Sequence, residues 1–164
     1  MPATDGTNPV SVIVTTRGAG KATLYRFNER HLAAPAIIAL ADLRAELLSK
    51  LSGAIEMWTE PSVYSAMFGS AARGTMKADS DLDLFVVRPD SLDPDDPTWT
   101  GQVSELASDA KAWTGNDTRV LEYSEAEVRR GLRVDEAVLA DVIRDEIRVT
   151  GPARYLSTVK RRRA

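Results

Sequence analysis

The chain reads as an α+β protein in which a β-hairpin and a long helix precede a set of short strands and helices, and three observations predict this. Val10–Thr16 and Lys21–Phe27 both alternate in the period-two manner of strands around the glycine turn Arg17-Gly18-Ala19-Gly20. From Pro35, well placed in a first helical turn, Ile37, Ile38, Leu40, Leu43, Leu47, Leu48 and Leu51 recur at helical spacing against Asp42, Arg44, Glu46 and Lys50. Beyond Pro61, strand-like apolar runs alternate with stretches of helical period. The expected segments are residues 1–34 with the hairpin, 35–58 with the connecting helix, 59–152 as the strand-and-helix domain, and 153–164 as a basic tail.

Each element has a local reason. Met1–Pro9, rich in Pro, Gly, Thr and Asn, is expected to be loose. His31 is the only histidine and precedes the long helix; with no second His or Cys to share a metal, it reads as a packing or capping residue. The long helix is expected to break near Gly53 and resume through Trp58, with its apolar stripe packed on the sheet or on a second copy of the chain, a homodimer. Asp90–Pro97 is an acidic, proline-rich loop, and Thr98–Trp113 a helix with Val103, Leu106, Ala107 and Ala110 inward, stopped by Gly115-Asn116. Thr118–Tyr123 is a strand, followed by the capping box Ser124-Glu125-Ala126-Glu127. Asp135–Glu146 is helical, Ile147–Thr150 a short strand, and Lys160-Arg161-Arg162-Arg163 a solvated tail.

Composition bounds the function. The 164 residues, 43% hydrophobic and 27% charged, are those of a globular domain with or without an appendage. A formal charge of −3 does not indicate a nucleic-acid binder working through its whole surface, although Arg17, Lys21 and Arg26 on the hairpin and the C-terminal cations leave nucleic acid open as a local partner. The absence of cysteine excludes disulfides and thiolate metal sites. With no apolar run near the ~20 residues of a membrane span and no signal-like N-terminus, a cytoplasmic protein that does not engage membranes is expected.

The chemistry is concentrated in Val63–Arg88, VYSAMFGSAARGTMKADSDLDLFVVR. An apolar run ends in Phe68-Gly69-Ser70, where a strand hands over to a helix and backbone N–H groups and a hydroxyl can face a phosphate. A polar loop then leads to Asp81-Leu82-Asp83-Leu84 and a second apolar run. On a strand Asp81 and Asp83 share one face while Leu82 and Leu84 enter the core. Two carboxylates side by side repel each other unless a cation lies between them, and such a pair, completed by substrate phosphates, suits Mg²⁺.

Phe68-Gly69-Ser70 followed, after Ala71–Ser80, by Asp81-Leu82-Asp83-Leu84 resembles the signature of the DNA polymerase β-like nucleotidyltransferase superfamily. The fuller strings Gly69-Ser70-Ala71-Ala72-Arg73-Gly74 and Ser80-Asp81-Leu82-Asp83 resemble the small bacterial minimal nucleotidyltransferases and, more distantly, the antibiotic nucleotidyltransferases. The resemblance implies a nucleotidyltransferase fold, a small mixed sheet flanked by helices, over residues 59–152. It implies transfer of a nucleoside monophosphate from an NTP to a hydroxyl of a protein, an RNA or a small molecule, with release of pyrophosphate. Gly69 and Ser70 would then bind the triphosphate, with Lys77 and Ser80 nearby, and Asp81 and Asp83 would hold Mg²⁺ in a two-metal site. Arg73, three residues after Ser70, has two readings: it reaches a phosphate, or it pairs with Asp81 or Asp79. The superfamily's third carboxylate, a general base that often contacts one metal, falls on the Thr118–Tyr123 strand, where Glu122 is either that group or a surface residue at a strand end. Relatives of this kind often serve as antitoxins, so the alternative is an antitoxin or regulatory binding module with a weak or vestigial nucleotidyltransferase site and a toxin protein as its partner. Gly20–Pro35 resembles the wing of winged-helix modules, a remnant without the helices that normally precede it.

Overall fold

Alternating β-branched residues and a tight turn build the first element pair. In the computed structural model, which describes residues 13–77 and 79–161, β1 (Val14–Ala19) pairs antiparallel with β2 (Ala22–Phe27), Ala19 opposite Ala22. The turn is therefore Gly20-Lys21, with Gly20 at φ +62°, and Arg17-Gly18-Ala19 belong to the strand rather than to the turn. A two-residue turn whose first position is left-handed matches the twist of the flanking strands. Val10–Ser11–Val12, expected to begin the first strand, and the loose start expected for residues 1–9 lie outside the described residues.

His31 caps the next helix as expected: its Nδ1 accepts from the Ala33 N–H at 3.1 Å. Helix α1 (Ala34–Glu56) runs without the break expected at Gly53, where a side chain would meet open space and nothing forces a bend. The chain forms two compact units, one up to Glu46 and one from Leu47. Only part of the apolar stripe is core, because Leu51 and Ile55 are buried whereas Ile38, Leu40 and Leu43 are exposed.

The second unit is a four-stranded sheet in the order β5-β4-β3-β6. Its strands are β3 (Tyr64–Phe68), β4 (Leu82–Arg88), β5 (Thr118–Ser124) and β6 (Ile147–Thr150). The β4–β5 pair is parallel and the others antiparallel, so the sheet is mixed. The connection from β4 to β5 carries α3 (Pro97–Thr114), started by Asp96, whose carboxylate accepts from the N–H groups of Thr98 and Trp99, and stopped by left-handed Gly115. Ser124 and Glu127 form the expected capping box at α4 (Glu125–Gly131), and α5 (Ala137–Asp145) leads into β6.

Period-two alternation sorts the strands onto two cores. Leu82, Leu84, Met67 and Val120 pack against Leu51 and Ile55 of α1 and Leu106 and Ala110 of α3. Tyr64, Ala66, Phe85, Val87 and Leu121 pack against Val128, Leu139 and Val142 of α4 and α5. This is the mixed sheet flanked by helices that the motif implies. The stretch after Pro152 is not only a tail: α6 (Tyr155–Arg161) seals the second core with buried Leu156, and Tyr155 stacks on Tyr64 at 5.1 Å. A short helix with an apolar residue to bury is ordered by burial, whatever its flanking charge. Arg162 and Arg163 lie outside the described residues. No helix among the described residues is long and apolar enough to cross a membrane.

Candidate active site

The site is built where β3 ends beside the start of β4. Phe68 is extended, Gly69 turns to φ +69°, and α2 (Gly69–Arg73) begins at once. Only glycine suits this corner: a Cβ on Gly69 would stand 2.6 Å from Asp83 Oδ2. The glycine thus lets the carboxylate of one strand lie against the backbone turn of its neighbour, with Phe68 opposite Asp83 in the ladder. Buried Ala71 and Ala72 seat α2 on the sheet, left-handed Gly74 ends it, and the Thr75 N–H donates to the Ser70 carbonyl at 3.0 Å.

The loop back to β4 is tied at several points. The Lys77 N–H donates to Ser80 Oγ at 3.0 Å, and Asn116 Nδ2 donates to the Ser80 carbonyl at 2.8 Å. The Leu82 N–H donates to the Asp117 carbonyl at 2.7 Å, which starts the parallel ladder. Asp81 and Asp83 then project on one face while Leu82 and Leu84 are buried on the other, as period two requires.

Gly69, Ser70, Arg73, Ser80, Asp81 and Asp83 line one cleft of about 530 Å³ together with Phe68 and exposed Asp79. The same cleft is walled by Arg119 of β5 and by Asp141, Arg144 and Asp145 of α5. Sequence reading missed these four. The signal for Arg119 was its place near the start of a strand next to the Asp81-Asp83 strand; the α5 residues had no local signal.

Charges within the cleft are unevenly satisfied. Asp81 forms an ion pair with Arg119, Oδ2 to Nη2 at 2.7 Å. Burial raises the Asp83 carboxyl above the ordinary carboxylate range, the Asp81 charge raises it further, and Arg119 and Arg73 oppose both. Asp145, 5% exposed, is gripped by Arg144 through both oxygens and by Arg73, and the Arg144 hydrogen bonds lead in holding its carboxyl below the ordinary range. Arg144 also reaches Asp141 at 2.7 Å. Arg73 therefore faces the cleft as one reading required, but its carboxylate partner is Asp145, not Asp81 or Asp79. The reason is tertiary: α5 packs against α2 and brings an acid from 72 residues away.

Two expectations need correction. Glu122 is not brought to the aspartates. Register pairs Asp83 with Arg119 and Val86 with Glu122, so Glu122 lies three residues, roughly 10 Å, further along and on the opposite face. There its carboxylate accepts from Arg88 Nε at 2.9 Å. The position across from Asp83 holds an arginine, and the second-metal and general-base roles of Glu122 lose their geometry. Lys77 is exposed and does not line the cleft; the loop uses its backbone.

The Asp83 carboxylate against Gly69 and the Asp81 carboxylate in the same cleft are oxygen donors of the kind a hard divalent cation takes. Among the described residues no group of three or more His, Cys, Asp or Glu is arranged around a common metal position. A cation held by Asp81 and Asp83 would have to complete its shell with water or substrate oxygens.

Comparison with solved structures finds similarity to a toxin–antitoxin with AMP-PNP, at 18% identity over 70% of this chain and 82% of that one, TM-score 0.49. It also finds the tri-AMPylated Shewanella oneidensis HEPN toxin in complex with MNT antitoxin, at 14% identity over 73% and 82%, TM-score 0.48. A variant of the toxin–antitoxin MntA-HpeT is similar at 18% identity over 72% and 80%, TM-score 0.46. No curated protein matches the chain. Residues 51–150, which take in the C-terminal end of α1, the whole four-stranded sheet and every cleft residue named above, match the model of the nucleotidyltransferase domain, and the chain belongs to that family of enzymes.

Proposed function

We propose that the chain transfers a nucleoside monophosphate from an NTP to a hydroxyl acceptor in a Mg²⁺-dependent reaction centred on Asp81 and Asp83. The observation that carries this reading is the contact between the Gly69 corner and the Asp83 carboxylate, which joins a phosphate-binding turn and a cation-binding pair in one cleft. In this reading Gly69 and Ser70 hold the triphosphate through backbone N–H groups and the hydroxyl, and Ser80, tied by Asn116, shapes the opposite lip. Asp81 and Asp83 hold the cation, which when bound neutralises phosphate charge and eases departure of pyrophosphate. The acceptor oxygen forms a bond to the α-phosphorus as the bond from that phosphorus to pyrophosphate breaks and the hydroxyl proton passes to solvent, with no covalent enzyme intermediate.

The acceptor is proposed as a hydroxyl of another molecule, because the cleft opens to solvent where the Arg119 side chain is 75% exposed. A protein partner, of the kind present in the toxin–antitoxin structures named above, is one arm of the test beside RNA and small molecules.

The test is titration of the full chain with each of the four NTPs in Mg²⁺ and again in EDTA, followed by a labelled-NTP screen for the acceptor. Metal-dependent binding of at least one NTP is expected. Failure of all four to bind overturns the reading in favour of a binding module with a vestigial site.

A further inference from the structure

The cleft holds three arginines, and they are not held alike. Arg73 and Arg144 converge on Asp145, which is almost fully buried between them, and Arg144 takes Asp141 as well. The Arg73 guanidinium fastens α2 to α5, and the Arg144 guanidinium is held within α5 by two carboxylates. Arg119 stands on the other wall, beside Asp83 in the parallel ladder, and its cleft contact is a single pair with Asp81. Its side chain is also the most exposed of the three, 75% against 46% and 61%. An exposed one-point ion pair is easily exchanged, whereas a carboxylate gripped by two guanidinium groups is not.

This pair occupies a proposed cation ligand. While the guanidinium bonds Asp81, the carboxylate is neutralised by the protein's own charge, and a divalent cation arriving alone must displace Arg119. A nucleotide arriving with the cation changes the balance. Its phosphates offer the planar guanidinium an anionic partner that it can grip through two N–H groups, and Asp81 is released to the metal. On the opposite strand wall from Gly69-Ser70, Arg119 is placed to close the triphosphate between them.

We propose that Arg119 is a phosphate-binding residue that, without nucleotide, occupies Asp81 in place of the cation, so that divalent metal and NTP bind cooperatively by exchanging this one guanidinium between Asp81 and the phosphates. The inference rests on the reading of the site given above and adds to it a residue and a coupling. Metal alone binds weakly by design, and nucleotide strengthens it.

The experiment uses the full chain and its Arg119→Ala and Arg119→Lys variants, with Mn²⁺ as probe in electron paramagnetic resonance and ATP with and without Mg²⁺ in calorimetry. Removing the competitor is expected to tighten Mn²⁺ binding without nucleotide, by up to roughly fivefold given the strength of an exposed ion pair. Losing a charge-assisted phosphate contact is expected to weaken Mg·ATP by roughly ten- to hundredfold. The factor by which ATP tightens Mn²⁺ should fall accordingly. Arg119→Lys, which keeps the charge without the fork, should hold Mn²⁺ near the parent affinity and recover part of the ATP binding. Unchanged ATP affinity in Arg119→Ala, or Mn²⁺ binding that weakens, overturns the inference while leaving the site reading intact if the parent still binds both. A parent chain that binds neither Mn²⁺ nor ATP overturns the site reading and this inference together.

Discussion

Two acid–arginine pairs bridge β4 and β5, and they are opposites. At the start of the strands, on the cleft face, Asp81 meets Arg119 in a one-point contact open to water. At the far end, on the other face, Arg88 meets Glu122 with the arginine side chain only 8% exposed. Arg88 also donates to the carbonyls of Pro89 and Leu92, so it ties the acidic loop to the strand end as well. The same two residue types thus make a buried clamp in one place and an exchangeable contact in the other. Location in the sheet, more than the identity of the pair, decides which.

The largest effect that tests this contrast is on chemistry. The double variant Asp81→Ala/Asp83→Ala is expected to lose Mg²⁺-dependent NTP turnover by roughly three orders of magnitude or more, with its melting temperature kept or raised because two repelling carboxylates are gone. Turnover that survived would move the reaction away from this face. The far pair should behave the other way. Arg88→Ala is expected to cost about 2–3 kcal/mol in urea unfolding, below the range for a fully buried pair because Glu122 is partly exposed. Glu122→Ala should leave turnover within a factor of about two; a catalytic collapse there would restore Glu122 to the site and dissolve the contrast.

Smaller effects sharpen it. Gly69→Ala at φ +69° is expected to cost roughly 1–2 kcal/mol in stability from the left-handed backbone alone. It should also depress NTP affinity, because the new Cβ meets Asp83. Equal stability and affinity would mean that the corner is not as tight as it stands. The smallest signature lies in the wall of the cleft. Arg144 and Arg73 lower the Asp145 carboxyl, and an acid so lowered stabilises the fold fully above the ordinary carboxylate range, losing that contribution as pH falls through its own lowered value. Asp145→Asn should therefore melt earlier than the parent at pH 7, with the deficit closing as pH falls below the ordinary carboxylate range. A deficit of constant size across that range would assign the loss to packing.

What could be read along the chain was whatever depends on near neighbours. Period two placed Asp81 and Asp83 together and Leu82 and Leu84 in the core, the glycine before Ser70 marked the corner, and the caps at His31 and Ser124 follow from the few residues around them. Local spacing also made Val120 and Glu122 share a face, as they do. It could not say which face of the assembled sheet that was, or how far along β4 it would fall. The parallel register and the helices packed on either side decided that, and they sent Glu122 to Arg88 and Arg119 to Asp81. Arg73 likewise drew its partner from α5, because packing of α2 against α5 outweighed the nearer acids in sequence. Side-chain alternation is a property of one strand, so the sequence by itself determined the motif; the pairing of strands and the docking of helices are long-range, so only the tertiary structure decided which charges the motif would meet.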